Sequence, residues 1–176
     1  MKIKVKTALV SVSDKQGLER ISEYFIKNDI LVFSSGGTYN HLKKINPRLK
    51  LIEVSSYTKF NEILDGRVKT LHPLIHAGIL ADKYNSKHIS QLNLLKIKTI
   101  DLVIVNLYPF EKTLNKSNST ESDCIENIDI GGPSLIRGAA KNYKSVVVLS
   151  SPSQYDKFVS EMKKNNNNLN LEFRKE

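Results

Sequence analysis

Apolar and polar positions in this chain follow two periods in alternation. Residues 7–12, 30–33, 51–54, 101–105 and 145–149 are short apolar runs, rich in β-branched side chains. Runs of that length and make-up read as strands buried on both faces. Between them the spacing lengthens to that of a helix. Leu18, Ile21, Phe25 and Ile26 recur after Ser13 and Asp14, which stand where an N-cap belongs. Tyr39, Leu42 and Ile45 follow a Ser-Gly-Gly-Thr turn, and residues 86–96 and 133–140 carry the same period. Pro133 suits a first helical position, and Ser151 with Pro152 opens a last amphipathic stretch through Phe158, Val159 and Met162. Strands alternating with helices predict an α/β domain: a Rossmann-like, three-layer fold with a parallel sheet covered on both faces.

Two segments fall outside this pattern. Residues 115–123 hold Ser, Thr and Asn and read as an exposed loop. Residues 165–168 are four asparagines in a row, and the segment after them is too short to pack alone. The domain is therefore expected over residues 1–164, with 165–176 as an Asn-rich linker and a truncated C-terminal piece.

Composition narrows the class. A chain of 176 residues with 40% hydrophobic and 26% charged residues suits one globular domain. It lacks an apolar run of about 18 residues, so no membrane span or membrane partner is expected. Residues 1–6 alternate lysine with apolar residues and show no cleavable leader. The single cysteine, Cys124, cannot form an internal disulfide, which fits a reducing cytoplasm and reads as a bystander. A net charge of +9 invites a nucleic-acid reading. The lysines are scattered, however, without a basic run or interleaved aromatic platform, so no nucleic acid is expected. A phosphorylated small molecule fits the positive balance as well.

The candidate chemistry gathers where such sheets bind ligands, beyond the carboxyl ends of the strands. Ser11, Ser13, Asp14 and Lys15 follow the first run, Ser35, Gly36, Gly37 and Thr38 the second, and Asn106 and Tyr108 the fourth. Glycines let a backbone approach an anion, and the helix start behind them offers free amides. The densest stretch runs from Asp65 to Pro73 and holds a carboxylate, guanidinium, ammonium, hydroxyl and imidazole. Punctuated by Gly66 and Pro73, it reads as a shaped loop delivering Arg67, Lys69 and Thr70 to one point. Asp129, Ile130 and Gly131 precede a Gly-Pro turn into a helix that ends near Lys141. Each feature also has a plain reading. Asp129 suits a helix cap, Lys141 a dipole partner, Tyr108 a packed side chain and Gly36-Gly37 a simple turn.

The segments Ser-Val-Ser-Asp-Lys, Ser-Gly-Gly-Thr, Asp-Gly-Arg-Val-Lys-Thr-Leu-His-Pro, His-Ala-Gly-Ile-Leu, Asn-Leu-Tyr-Pro-Phe, Ile-Asp-Ile-Gly-Gly and Ala-Ala-Lys-Asn occur in that order. In this the chain resembles the N-terminal IMP cyclohydrolase domain of the bifunctional AICAR formyltransferase/IMP cyclohydrolase family. The resemblance runs from about Thr7 to Tyr155. It implies a methylglyoxal-synthase-like fold and closure of formyl-AICAR (FAICAR) to IMP with loss of water, as the last step of purine biosynthesis. It also implies no metal, no organic cofactor, a nucleotide as the small-molecule partner, and a homodimer. By position, Ser11, Ser13, Asp14, Lys15, Ser35, Gly36, Gly37 and Thr38 would hold the nucleotide, chiefly its phosphate. Arg67 and Thr70 would extend that contact, with Asn106 beside the base and Ile130 and Gly131 at its reacting edge. Lys69, Tyr108, Asp129 and Lys141 would be catalytic, with Lys141 moving the proton. Gly138 stands where the family usually has alanine, and the formyltransferase half is absent from this sequence. A nucleotide-binding remnant of the same fold and a methylglyoxal synthase are the alternatives.

Overall fold

Leu102, Val103, Ile104 and Val105 are all buried, so the fourth apolar run lies inside the molecule on both of its faces. The structure, a computed structural model, describes residues 2–176; the side chain of residue 65 is outside the description. In chain order the elements are β1 (Ile3–Lys4), β2 (Thr7–Val12), α1 (Leu18–Lys27), β3 (Leu31–Ser34), α2 (Gly36–Ile45), β4 (Leu51–Glu53) and α3 (Val54–Thr58). Then come α4 (Pro73–Leu80), α5 (Ser86–Leu94), β5 (Leu102–Asn106), α6 (Phe110–Leu114), α7 (Glu121–Glu126) and α8 (Gly131–Lys141). The chain closes with β6 (Val147–Leu149), α9 (Tyr155–Lys164), β7 (Asn168–Leu169) and α10 (Leu171–Lys175).

Five strands form one parallel sheet in the order β4-β3-β2-β5-β6. Side chains alternate across it, which makes two cores. Ala8, Val10 and Val12 of β2 pack with Leu18 and Phe25 of α1, and with Phe158 and Met162 of α9. On the opposite face Leu9, Val103 and Val105 pack with Ile75 and Ile79 of α4 and with Leu135 and Ala139 of α8. This is the predicted three-layer α/β arrangement. The strand order reverses between β2 and β5, and a ligand crevice is expected beyond their carboxyl ends.

The other end of the sheet is tied by one carboxylate. Asp101, 6% exposed, accepts from the backbone N–H groups of Lys6 (2.7 Å) and Thr7 (2.9 Å) and pairs with Lys83. The Lys83 ammonium also donates to the Ser145 carbonyl at 2.8 Å, so three strand entrances share one hydrogen-bonded knot.

Three local expectations are corrected. Ser13 and Asp14 do not cap α1: its N-cap is Gly17, in the left-handed region at φ 78°, while the Asp14 carboxylate accepts from Gln16 N–H at 2.9 Å. Residues 115–123 are not all loop. Thr120 and Asp123 form a reciprocal capping box that starts α7, and the hydrogen bonds from Thr120 hold the Asp123 carboxyl below its ordinary pKa. Nor is the Asn-rich tail a free linker. Asn166 and Asn167 take positive φ (50° and 62°), a conformation asparagine tolerates, and turn the chain back on itself. β7 then pairs antiparallel with β1, Leu169 is fully buried, and the nearly buried Arg174 donates to the Asn170 and Tyr143 carbonyls at 3.0 Å each.

Removing the carboxylate of the knot leaves the partly buried Lys83 and two amides without their partner. Asp101→Ala should therefore lower unfolding free energy by about 3 kcal/mol in urea titration, with an unchanged m-value. His76, on α4, has its pKa lowered from the ordinary 6.5 by burial. The unfolded chain then binds its proton more readily than the fold does. Stability from this group is complete above pH 6.5 and declines as pH falls below it. His76→Gln should flatten that acid limb of the midpoint-versus-pH curve.

Candidate functional site

The crevice at the strand-order reversal is a cavity of about 560 Å³. Its floor is the end of β2 and the turn after it, with Ser11, Val12, Ser13 and Lys15. Asn106 ends the adjacent β5. Its two amide arms clamp that turn: Asp14 N–H donates to Asn106 Oδ1 at 2.8 Å, and Asn106 Nδ2 donates to the Asp14 carbonyl at 2.7 Å. Asn106 thus lines the cavity but spends its amide on shaping the floor.

One wall gathers positive charge at the start of α2. Ser35 N-caps α2 without a side-chain cap bond, and the first amides of a helix have no intrahelical acceptor. Gly36 has φ +52°, which favours glycine, and a Cβ there would stand 2.9 Å from the Lys69 ammonium. At Gly37 a Cβ would stand 3.9 Å from the Lys15 ammonium. Two ammonium groups and a helix N-terminus therefore meet at one place, the arrangement that binds phosphate. Thr38 plays another part. It is 5% exposed, accepts from Val12 N–H (3.1 Å) and donates to the Val12 carbonyl (3.0 Å), pinning the helix start to β2.

The facing wall comes from residues 66–70, α7 and the start of α8. Arg67 pairs with Glu126, and Lys69 pairs with Glu62 at 3.0 Å. Thr70 is buried, with its hydroxyl oxygen 3.0 Å from where a Cβ would stand on Gly131. Asp129 Oδ1 accepts from Gly132 N–H at 2.7 Å, the cap its position suggested, while its carboxylate still lines the cavity. A Cβ at Gly132 would meet Asp129 Oδ2 at 2.6 Å, so the glycine lets the carboxylate sit close. Above these groups Ile125, Ile128 and Ile130, each more than half exposed, line the same space with Tyr108. Apolar faces left open in this way suit a planar ring.

The structure therefore brings Ser11, Ser13, Lys15, Ser35, Gly37, Thr38, Arg67, Lys69, Thr70, Asn106, Tyr108, Asp129, Ile130 and Gly131 to one cavity. Three expected site residues stand apart from its lining. Asp14 and Gly36 shape the backbone of the floor and of the anion wall. Lys141 is exposed at the far end of α8, ten residues past Gly131 and so roughly 15 Å along the helix. The expectation that it meets the others is not met within this chain. The side chain of Asp65 lies outside the described residues. Sequence reasoning missed Glu126 and the isoleucines of 125 and 128, because it read their approach as loop; the Thr120-to-Asp123 capping spacing was the available signal. Among the described residues no three His, Cys, Asp or Glu side chains are grouped to hold a metal ion, and no helix is long and apolar enough to cross a membrane.

Comparison with known proteins agrees with this fold. The family model described as MGS-like domain matches residues 17–134, and that of the AICARFT/IMPCHase bienzyme matches residues 139–176. The bifunctional purine biosynthesis protein PurH of Leptospira biflexa is 51% identical over 170 residues, covering 97% of this chain and 33% of that protein. PurH of Clostridium perfringens strain SM101 is 50% identical over 161 residues, 92% of this chain and 32% of the relative. That of Staphylococcus haemolyticus is 46% identical over 98% of this chain and 34% of the relative. The chain thus spans about a third of the length of these relatives. The crystal structure of ForH superposes with a TM-score of 0.81 at 28% identity, covering 96% of this chain and 85% of that one.

Gly36→Ala forces a side chain into the left-handed region against Lys69. It should weaken inorganic phosphate binding by about fivefold to tenfold, read by calorimetry, because the strain costs roughly 1–2 kcal/mol in the geometry that binds.

Proposed function

The chain belongs to the MGS-like domain family, and on that premise we propose that it is an IMP cyclohydrolase, closing the ring of FAICAR to give IMP and water. One observation carries this reading. A phosphate seat and a capped carboxylate at a helix N-terminus face each other across one cavity, with exposed isoleucines between them to hold a base. The relatives' name, a bifunctional purine biosynthesis protein, supports it.

The reaction asks for placement and proton management. Nucleophile and electrophile share one molecule, so holding the conformer in which they face each other contributes much of the acceleration. Lys15, Lys69 and the α2 amides anchor the phosphate; the isoleucines and Tyr108 fix the plane of the ring. The carboxamide nitrogen then attacks the formyl carbon, and the carbonyl π electrons move onto the formyl oxygen. The Gly131 N–H at the start of α8, with the positive end of that helix, stabilises the developing oxyanion. One proton leaves the attacking nitrogen and another the formamido nitrogen. The formyl oxygen departs with both as water, and the carbon–nitrogen double bond forms. Asp129 is placed to take a proton, with Tyr108 and Lys69 as its partners in the cavity. No step in this sequence asks for a metal or an organic cofactor.

The same reading extends to the whole molecule. We place it in the cytoplasm, in keeping with one unpaired cysteine, and as a homodimer, in keeping with the exposed side chains of Tyr84, Leu94 and Leu95.

The test is conversion of synthetic FAICAR to IMP by the purified chain, followed by absorbance. The chain should turn over, and Asp129→Asn should lower kcat by about 10²–10⁴ while IMP binding persists. A folded chain that binds IMP without making it would sink the catalytic reading. Release of methylglyoxal from dihydroxyacetone phosphate would replace it with the other chemistry of this fold.

A further inference from the structure

Residues 107–128 carry α6 and α7 from the end of β5 toward α8, and they bury almost nothing. Only Thr113 among them is buried, and its hydroxyl bonds to the Pro109 carbonyl within the same stretch. Leu114, Ile125 and Ile128 each stand more than half exposed. α7 has six residues and buries none of them. Its capping box stabilises the helix but does not fix where the helix sits, and so short a helix has little stability of its own. The stretch is anchored at one place. A Cβ on Gly132 would meet both Leu107 Cδ2 and Asp129 Oδ2 at 2.6 Å, so its first residue and the residue just past its end converge on the start of α8. Between these anchors, among the described residues, one side-chain bond ties the stretch to the rest of the chain: Arg67 Nη2 donates to Glu126 Oε1.

Glu126 is the last residue of α7, where the helix dipole disfavours a carboxylate, and Arg67 compensates it. The pair joins the loop of residues 66–70 to α7, and both partners line the cavity beside Ile125 and Ile128. We propose that residues 107–128 form a flap over the ring half of the cavity, latched by this pair, and that Glu126 is a positioning residue: through Arg67 it holds Ile125 and Ile128 against the ligand's ring. The phosphate seat, made by Lys15, Lys69 and the α2 amides, does not depend on the latch. The inference rests on the cyclohydrolase reading only for the identity of the nucleotide.

Glu126→Ala removes the latch and a negative charge from the cavity, and the two losses act oppositely on two ligands. Titrated by calorimetry, IMP should bind the variant about twofold to fivefold more weakly, the worth of an exposed ion pair. Inorganic phosphate should bind it up to about twofold more tightly, because a carboxylate lining the same cavity is gone. An IMP affinity that is unchanged or raised overturns the inference. A loss shared equally by phosphate overturns it as well, since that marks general damage to the fold. The second readout uses the single cysteine: Cys124 stands on α7, two residues before Glu126, and is not among the residues lining the cavity. Saturating IMP should slow its reaction with N-ethylmaleimide severalfold in the parent, saturating phosphate should not, and Glu126→Ala should lose the IMP effect. Equal rates in the parent with and without IMP overturn the inference. If the parent binds IMP but leaves FAICAR untouched while these shifts appear, ring closure fails as a reading and the latch stands. Turnover of FAICAR with the IMP and phosphate affinities moving together leaves ring closure standing and sinks the latch.

Discussion

Everything at the cavity depends on the register in which β2 meets β5. Val12 lies opposite Asn106, so the two central strands end level and the turns beyond them open into the same space. The pairing is parallel and buried on both faces, and it is the one place where the strand order reverses within the sheet. Shift it by one residue and every side chain of β2 would change faces, carrying Leu9 out of one core and Val10 out of the other. Asn106 would then miss Asp14, and the floor of the cavity would lose its clamp. Hydrophobic packing thus selects the register, and the register selects the site.

The charge distribution follows the same economy. The chain carries a net charge of +9, yet the cavity is not simply positive. Lys69 leans on Glu62, and Arg67 on Glu126. These pairs keep the cations aimed into the space between the walls while no ligand neutralises them. Exposed ion pairs of this kind add little to stability, so their value lies in orientation. A phosphate entering the cavity exchanges partners with groups already in place.

Much of this was legible from the sequence, for a physical reason. Apolar runs such as 101–105 admit few interpretations in a short chain, because a strand buried on both faces has no polar positions to mislead. The glycines and hydroxyls after each run mark the strand ends, and Asp129 three residues before the amide it caps is a local pattern. What escaped was set by local turn chemistry or by distance. Gly17 rather than Ser13 begins α1 because a left-handed residue redirects the chain there. The asparagines of 165–168 look like low complexity, and two of them are instead the hinge of a tight reversal. Lys141 shares a helix with Gly131, but the eleven residues of that helix set its two ends roughly 15 Å apart. A motif shared along the chain does not measure distance through space.

The pairing of Ile3 with Leu169 carries a kinetic consequence. It closes a loop nearly as long as the chain, and the entropy of closing such a loop is compensated by only two residues on each strand. The clasp can form only once the sheet and α9 have already brought those ends together, so it belongs to the final stage of folding. By the same reasoning it is the first part to open. Neither strand contributes a residue to the cavity, so opening of the clasp alone would leave the lining in place.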